Sequence, residues 1–462
     1  MANKKHVLTI FSLTMITVGS VDSIRNLPAT ALFGSQLIAF FILGALFFLI
    51  PTALVSAELA SAWPKQGGVY IWVKEAFGRT LGFAAIWLQW IENVIWYPTI
   101  LAFVAGTIGY LISPNLADNP LFLWLIIVCS FWGATFVNLR GMKASAWVSN
   151  VCALSGLLLP MVLIISLGGI WLVNGNPIQV SFGLQDIIPH WSDQSMWVSL
   201  TAIMLSFCGV EIATVHANDV EKPQYAFPRA LTYSVLIILV TLMLGSLSIA
   251  IVLPHNEINF VAGIMQAFHA FFAKYNLLWF MPIVGLMLVL GGIGGVNNWI
   301  IAPTKGLLVA AQDGNMPKFF HKTNKKDAPV VFLYSQAIIV SLLSAVFLFM
   351  PSVNGSYWFL TALAAQLYMI MYLVMFLAAF KLRKLHPNHR GPFRIPGGWF
   401  GMSLVGGMGI IGVVVTLIVS FIPPDNINVG SSFIYEISLI LGLIVMCLPP
   451  FINLWWVAKS EQ

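Results

Sequence analysis

Several carboxylates and one guanidinium stand in this chain where the surrounding residues are almost wholly apolar. Asp22 and Arg25 lie in the run Thr17-Val18-Gly19-Ser20-Val21-Asp22-Ser23-Ile24-Arg25-Asn26-Leu27-Pro28. Glu211 closes the run Ser206-Phe207-Cys208-Gly209-Val210, and Glu58 and Glu92 sit in two further apolar stretches. An ionisable group at membrane depth is costly and calls for a partner or a wet cavity. Asp22 and Arg25 are three residues apart, so they could pair across one helical turn. That pairing would make Asp22 structural, and the alternative is that it meets a bound solute. Glu211 is expected to accept hydrogen bonds from N–H groups freed by the break it follows, as framework or as proton carrier. An interhelical hydrogen bond would explain Glu92, and a gate or an anchor near a cytoplasmic turn would explain Glu58.

Backbone can do chemistry as well. Glycine, serine, asparagine and proline interrupt the first run, and a second interruption stands at Phe207 to Gly209. A broken helix ends one half in unpaired carbonyls and starts the other with unpaired N–H groups, partly negative and partly positive respectively. A zwitterion needs one of each. The reading therefore gives backbone around Gly19, Ser20 and Val21 to a carboxylate, and carbonyls around Phe207, Cys208 and Gly209 to an ammonium. Glycine at 19 and 209 permits close approach. The Phe207 ring is expected to cap a bound solute. Trp90, Trp96, Trp299, Tyr368 and Tyr372 read as packing or interface belt more often than as ligand contacts. Asn297 and Asn298 are polar at the same depth and suit a solute or water contact.

The elements that must position these residues follow from composition. The 462 residues are 59% hydrophobic and only 8% charged; a soluble domain carries about a quarter charged residues. Lipid is the expected solvent, and a soluble enzyme is excluded. Apolar runs of about 20 residues can cross a hydrocarbon core. They place twelve spans near 7–33, 36–61, 78–112, 121–139, 145–173, 195–216, 228–253, 277–311, 330–350, 356–381, 400–422 and 433–457. The chain reads as one transmembrane domain, with the two breaks at matching positions of repeats near 7–173 and 195–381, and peripheral helices near 400–457. Paired broken spans are the sequence signature of inverted-repeat carriers.

Charge orients the bundle. With the N-terminus inside, twenty of the 22 Lys and Arg residues, from Lys4 and Lys5 to Lys459, fall on the cytoplasmic side, and Lys274 lies opposite. This is the positive-inside pattern, so the net charge of +6 marks topology, not nucleic acid. Both termini are expected in the cytoplasm and the chain in the inner membrane. Lys4, Lys5 and Ala29-Thr30-Ala31 imitate a signal peptide, but Asp22 and Arg25 intervene, so the segment reads as the first span. Between spans seven and eight, Phe260, Ile264, Phe268 and Phe271 have helical spacing and suggest an amphipathic helix on the outer side, its stripe used for packing.

Other motifs fail. Gly291-Gly292-Ile293-Gly294-Gly295 lies inside an apolar span and suits close helix packing, not a nucleotide loop. Cys129, Cys152, Cys208 and Cys447 show no C-x-x-C spacing, so neither a disulfide nor zinc follows. His386-Pro387-Asn388-His389 has no Cys or carboxylate clustered beside it. No metal and no cofactor are called for.

At SAWPKQGGVYIWV (Ser61 to Val73), FCGVEIATVHANDVEKP (Phe207 to Pro223), LPHNEINFVAGIMQAF (Leu253 to Phe268), IAPTKGL (Ile301 to Leu307) and FIPPDNI (Phe421 to Ile427), the chain resembles the amino acid–polyamine–organocation superfamily, and within it the glutamate/GABA antiporter family. The NEIN and PPDNI segments mark the narrower family; GVE and QGGVY belong to the wider one. The resemblance implies an all-α, twelve-helix, LeuT-like fold with a 5+5 inverted repeat and broken helices 1 and 6. It implies alternating access and exchange of an amino acid for its decarboxylated or related product. It puts Gly19, Ser20, Phe207, Cys208 and Gly209 at the substrate site, and Trp299 matches a tryptophan of the family's eighth span. With Val21, Asp22 and Glu211 these form the expected binding set. Acid-resistance members carry a C-terminal plug, whereas this chain stops at Gln462, so gating by a plug is not expected. The GSVDSIRNLP segment and the placing of Gln366 and Tyr368 in span ten depart from the glutamate exchangers. Asn150 and Ser155 stand where some superfamily members have a lysine in place of sodium, and exchange without ion coupling is the simplest reading. The expected partners are the lipid bilayer and a small amino acid or amine. Two alternatives stay open: a cationic amino acid or polyamine carrier, in which Asp22 and Glu211 attract a second amine, and a transporter-like sensor or membrane subunit.

Overall fold

Backbone in hydrocarbon has no water to bond to, so a chain of long apolar runs must close its hydrogen bonds within each run, as helix. The computed structural model describes residues 9–63, 65, 67–140, 154–189, 197–213, 223–389 and 391–452. Lys4, Lys5, Lys143, Asn150, Cys152, Lys222, Arg390 and Lys459 lie outside them, as do the side chains of Ser155 and Asn298. Among the described residues the architecture is all helical, with one isolated bridge between Thr323 and Pro329.

The first eight helices are α1 (Ile10–Val21), α2 (Leu27–Ala31), α3 (Gly34–Ala62), α4 (Val69–Phe77), α5 (Arg79–Ile112), α6 (Pro120–Leu139), α7 (Gly156–Val173) and α8 (Ser199–Ser206). They are followed by α9 (Val210–Ala213), α10 (Pro223–Val252), α11 (Gly263–Lys274), α12 (Met281–Ala310), α13 (Val330–Phe349), α14 (Val353–Leu385), α15 (Gly398–Val419) and α16 (Ser432–Cys447). Ten helices among the described residues are long and apolar enough to cross a membrane: α3, α5, α6, α7, α10 and α12 to α16. Their bounds track ten of the twelve expected spans. The other two expected spans are the interrupted ones.

Helix α5 is the pillar of the bundle, packed along α12 and α14. In α5 and α14, 72% of the most apolar window is buried, against 11% in the last span, so α16 lies at the rim. Helix α11 buries Ile264, Phe268 and Phe271 completely, beside Phe260. Its apolar stripe is packing, as expected.

Both interruptions are present. Helix α1 stops at Val21, Asp22 and Ser23 are extended, Ile24 to Asn26 make a 3-10 turn, and α2 begins with Pro28 in its first turn. Proline needs no partner for a missing N–H there, so it suits a helix start. In the second interruption, α8 stops at Ser206 and Phe207 to Gly209 form a turn before α9. Gly209 has φ 107°, a region that side chains with a Cβ rarely adopt. A Cβ there would also come within 3.0 Å of the Ser20 carbonyl oxygen and 3.1 Å of the Trp299 ring. The two breaks therefore touch, backbone to backbone.

Candidate functional site

A cavity of about 90 Å³ opens beside that contact. The first break supplies its longest wall, Gly19 to Asn26; α5 adds Glu92, Asn93, Trp96, Ile100 and Phe103. Leu205 comes from the end of α8 and Cys208 from the second break, Trp299 and the glycines 291, 292 and 295 from α12, Gly156 and Leu157 from α7, and Tyr368 from α14. At roughly 15 Å³ for each water-sized site, the space suits about six waters or a small solute.

Of the expected set, Gly19, Ser20, Val21, Asp22, Cys208 and Trp299 line this cavity. Gly209 stands behind it, wedged between Ser20 and Trp299, with its N–H donated to the Tyr372 hydroxyl at 3.0 Å. The Ser20 hydroxyl bonds the Thr17 carbonyl at 2.9 Å and reaches the Gly209 carbonyl at 3.4 Å.

Four expectations need correction. Because α1 runs on to Val21, Gly19, Ser20 and Val21 form its last turn and present carbonyls. The N–H groups freed by the first break belong to the residues after Asp22, so an ammonium, not a carboxylate, suits the Gly19–Val21 end. Phe207 does not cap the cavity: its ring is fully buried, edge-on to Phe41 at 5.7 Å and against Gly44. Asp22 and Arg25 do not pair, since the extended backbone at 22 and 23 sends them apart. Asp22 Oδ2 accepts from Thr241 of α10 at 2.8 Å, and Oδ1 has no hydrogen-bond partner. Arg25 Nη1 donates to Thr99 Oγ1 at 2.8 Å and to Tyr357 Oη at 2.9 Å, and the guanidinium lies 4.9 Å from the centre of the Trp96 ring. Fourth, Glu211 lies outside the cavity wall; it does accept from a backbone N–H at the break, its own, but side chains supply further bonds. Gln89 donates to Oε1 at 2.9 Å, Tyr368 to Oε1 at 2.7 Å, and Tyr372 to Oε2.

The tyrosines of α14 thus do more than pack, since they join the second break to α14. Gln89, Glu92, Asn93 and Trp96 were legible as a group: at spacings of three, one and three they fall on one face of a helix. Asn297 accepts from Asn138 at 2.6 Å and is not among the residues lining the cavity.

Away from the cavity, two polar clusters hold the ends of the bundle. Glu58 anchors the chain near residue 395: Arg383 Nε lies 3.1 Å from its carboxylate, and the Ile395 N–H donates to it at 2.7 Å. Arg383 also donates to the Gly398 carbonyl at 2.6 Å and the Ile395 carbonyl at 3.1 Å. In the second cluster Asp313 accepts from Lys74 at 2.6 Å and from the Tyr70 hydroxyl at 2.7 Å. Those bonds hold the Asp313 carboxyl below its usual range, and the same contact raises the Lys74 ammonium.

Two interrupted helices meeting at a small cavity with charged side chains in its wall, inside a bundle of membrane-length helices, are the build of a multi-pass membrane transporter. The amino acid permease family model matches residues 8–445, and the chain belongs to that family. It is 45% identical over 462 residues to an uncharacterized transporter of Legionella pneumophila, covering 100% of this chain and 98% of the relative. It is 30% identical over 456 residues to a glutamate/gamma-aminobutyrate antiporter of Lactococcus lactis, covering 97% and 90%. A probable agmatine/putrescine antiporter of the same species is more distant, at 22% identity over 426 residues.

Proposed function

We propose that the chain exchanges a small amino acid for its decarboxylated or related product across the inner membrane, by alternating access around the cavity between the two breaks. The meeting of both interruptions at one cavity carries this reading. N–H groups after Asp22 would hold a carboxylate, and carbonyls of Gly19 to Val21 and of Phe207 and Cys208 would hold an ammonium. Trp299 and Trp96 would flank the solute. Counting α1 with α2 as one interrupted crossing, and α8 with α9 as another, would bring the ten membrane-length helices to twelve. The repeats would then run near 7–173 and 195–381, with both termini in the cytoplasm. The charge asymmetry of the loops supports this orientation, and the printed activity of the Lactococcus antiporters supports the exchange.

Purified protein in proteoliposomes gives the test. Uptake of labelled glutamate should need an amino acid or its product inside. Equally fast uptake into empty vesicles would exclude obligatory exchange.

One observation favours a second reading. Two carboxylates, Asp22 and Glu92, line the cavity against one cation, Arg25. A cationic amino acid or a polyamine would balance that charge, and the distant agmatine/putrescine antiporter has such substrates in its name. Asp22→Asn should then weaken lysine or putrescine transport more than glutamate transport. Equal loss for all would remove this reading.

A further inference from the structure

Arg25 is held in an unusual way. It is 2% exposed, yet no carboxylate lies within ion-pair distance of it among the described residues. Both of its side-chain hydrogen bonds leave from Nη1, to Thr99 and Tyr357, and Trp96 supports the plane of the guanidinium. Nε is fully buried without a partner. The side of the fork formed by Nε and Nη2 therefore makes no hydrogen bond, on a residue that lines the cavity. A guanidinium fork of this kind matches a carboxylate with two parallel hydrogen bonds. The cavity also holds Glu92, which makes no hydrogen bond and no ion pair among the described residues although it is only 2% exposed. An unbonded guanidinium and an unbonded carboxyl group sharing one small cavity fit the two ends of a zwitterion.

Chemistry narrows which zwitterion. When an acidic amino acid loses its α-carboxyl group, the product keeps the amine and the side-chain carboxylate. Those two groups are what both exchange partners share. We propose that Arg25 is the specificity-determining residue, taking the side-chain carboxylate of the solute on its Nε–Nη2 edge while Glu92 faces the ammonium. This deepens the exchange reading and rests on it for the choice of the side-chain carboxylate, while selective binding can be measured by itself.

Binding to detergent-purified protein separates the two. Competition against labelled γ-aminobutyrate should rank glutamate far above glutamine, which replaces the remote carboxylate with an amide, and above putrescine, which lacks one. Arg25→Gln should cut affinity for glutamate and γ-aminobutyrate about tenfold to a hundredfold, the scale of hydrogen bonds to a charged group, and leave glutamine and putrescine within about twofold. Arg25→Lys keeps the cation without the fork, and should recover only part of the glutamate preference. It also covers the case in which Arg25→Gln does not fold. Glu92→Gln should weaken every amine-bearing ligand while keeping glutamate above glutamine. Equal affinity of the unaltered protein for glutamate and glutamine would overturn the assignment. So would equal loss of all ligands in both Arg25 variants. Selective binding without counterflow in vesicles would instead sink the exchange reading and leave Arg25 as assigned.

Discussion

The interruption after Val21 and the one after Ser206 touch at Ser20 and Gly209, yet their charged groups are treated differently. At the first, Asp22 keeps one bare oxygen and Arg25 one bare edge, and both residues line the cavity. At the second, the carboxylate of Glu211 is turned away from the cavity and receives Gln89, Tyr368 and Tyr372. An unsatisfied buried charge costs far more than a satisfied one. The first break thus leaves polar atoms unbonded, whereas the second bonds its carboxylate from three side chains.

Removing the Glu211 carboxylate is the hardest blow to that contrast. Glu211→Ala orphans three buried donors and should cost about 3 kcal/mol or more, read as a large drop in thermal stability in detergent. Asp22→Asn should lose far less stability while changing solute binding; equal destabilisation by the two would end the comparison. Next comes Tyr372→Phe, which removes a donor to Glu211 and the acceptor for the Gly209 N–H. It should cost about 1–3 kcal/mol, and Tyr368→Phe less, because no second bond of that hydroxyl is broken.

The glycines sharpen the contrast further. Gly209→Ala forces a Cβ against Ser20 and Trp299 at positive φ and should cost about 1–3 kcal/mol, with loss of exchange in vesicles. Gly19→Ala meets nothing within 4 Å inside a helical turn, so it should be neutral or stabilise by up to about 1 kcal/mol. The smallest effect belongs outside both breaks. Asp313→Asn removes a half-exposed ion pair with Lys74 and should cost within about 1 kcal/mol. The Asp313 carboxyl is lowered from 3.8, so its contribution is present above that value and lost as pH falls below it. The Lys74 ammonium is raised from 10.5, so its share is present below that value and lost as pH rises past it. The stability difference between the two proteins should therefore be flat from about pH 5 to 9, and a slope in that window would overturn this account of the contact.

Span positions were legible because they depend only on the length of an apolar run. The expected span near 330–350 is Val330–Phe349, and the one near 121–139 is Pro120–Leu139. Both breaks were legible from glycine, serine and proline in runs that otherwise lack them. The chemistry at the breaks depends on where a helix stops to within three residues, which composition does not specify. With α1 ending at Val21, Gly19 to Val21 offer carbonyl acceptors where N–H donors were expected. The spacing of Asp22 and Arg25 suits a helix, but the backbone there is extended, so local spacing misleads. Glu211 finds Tyr368 and Tyr372 more than 150 residues away, and no local pattern announces such partners.

Where α7 crosses α12, Gly156 and Gly291 meet so closely that a Cβ on the first would fall 2.2 Å from the Cα of the second. At that point the two helices touch backbone to backbone, with no side chain between them. A single methyl group on either glycine would therefore have to push the two backbones apart.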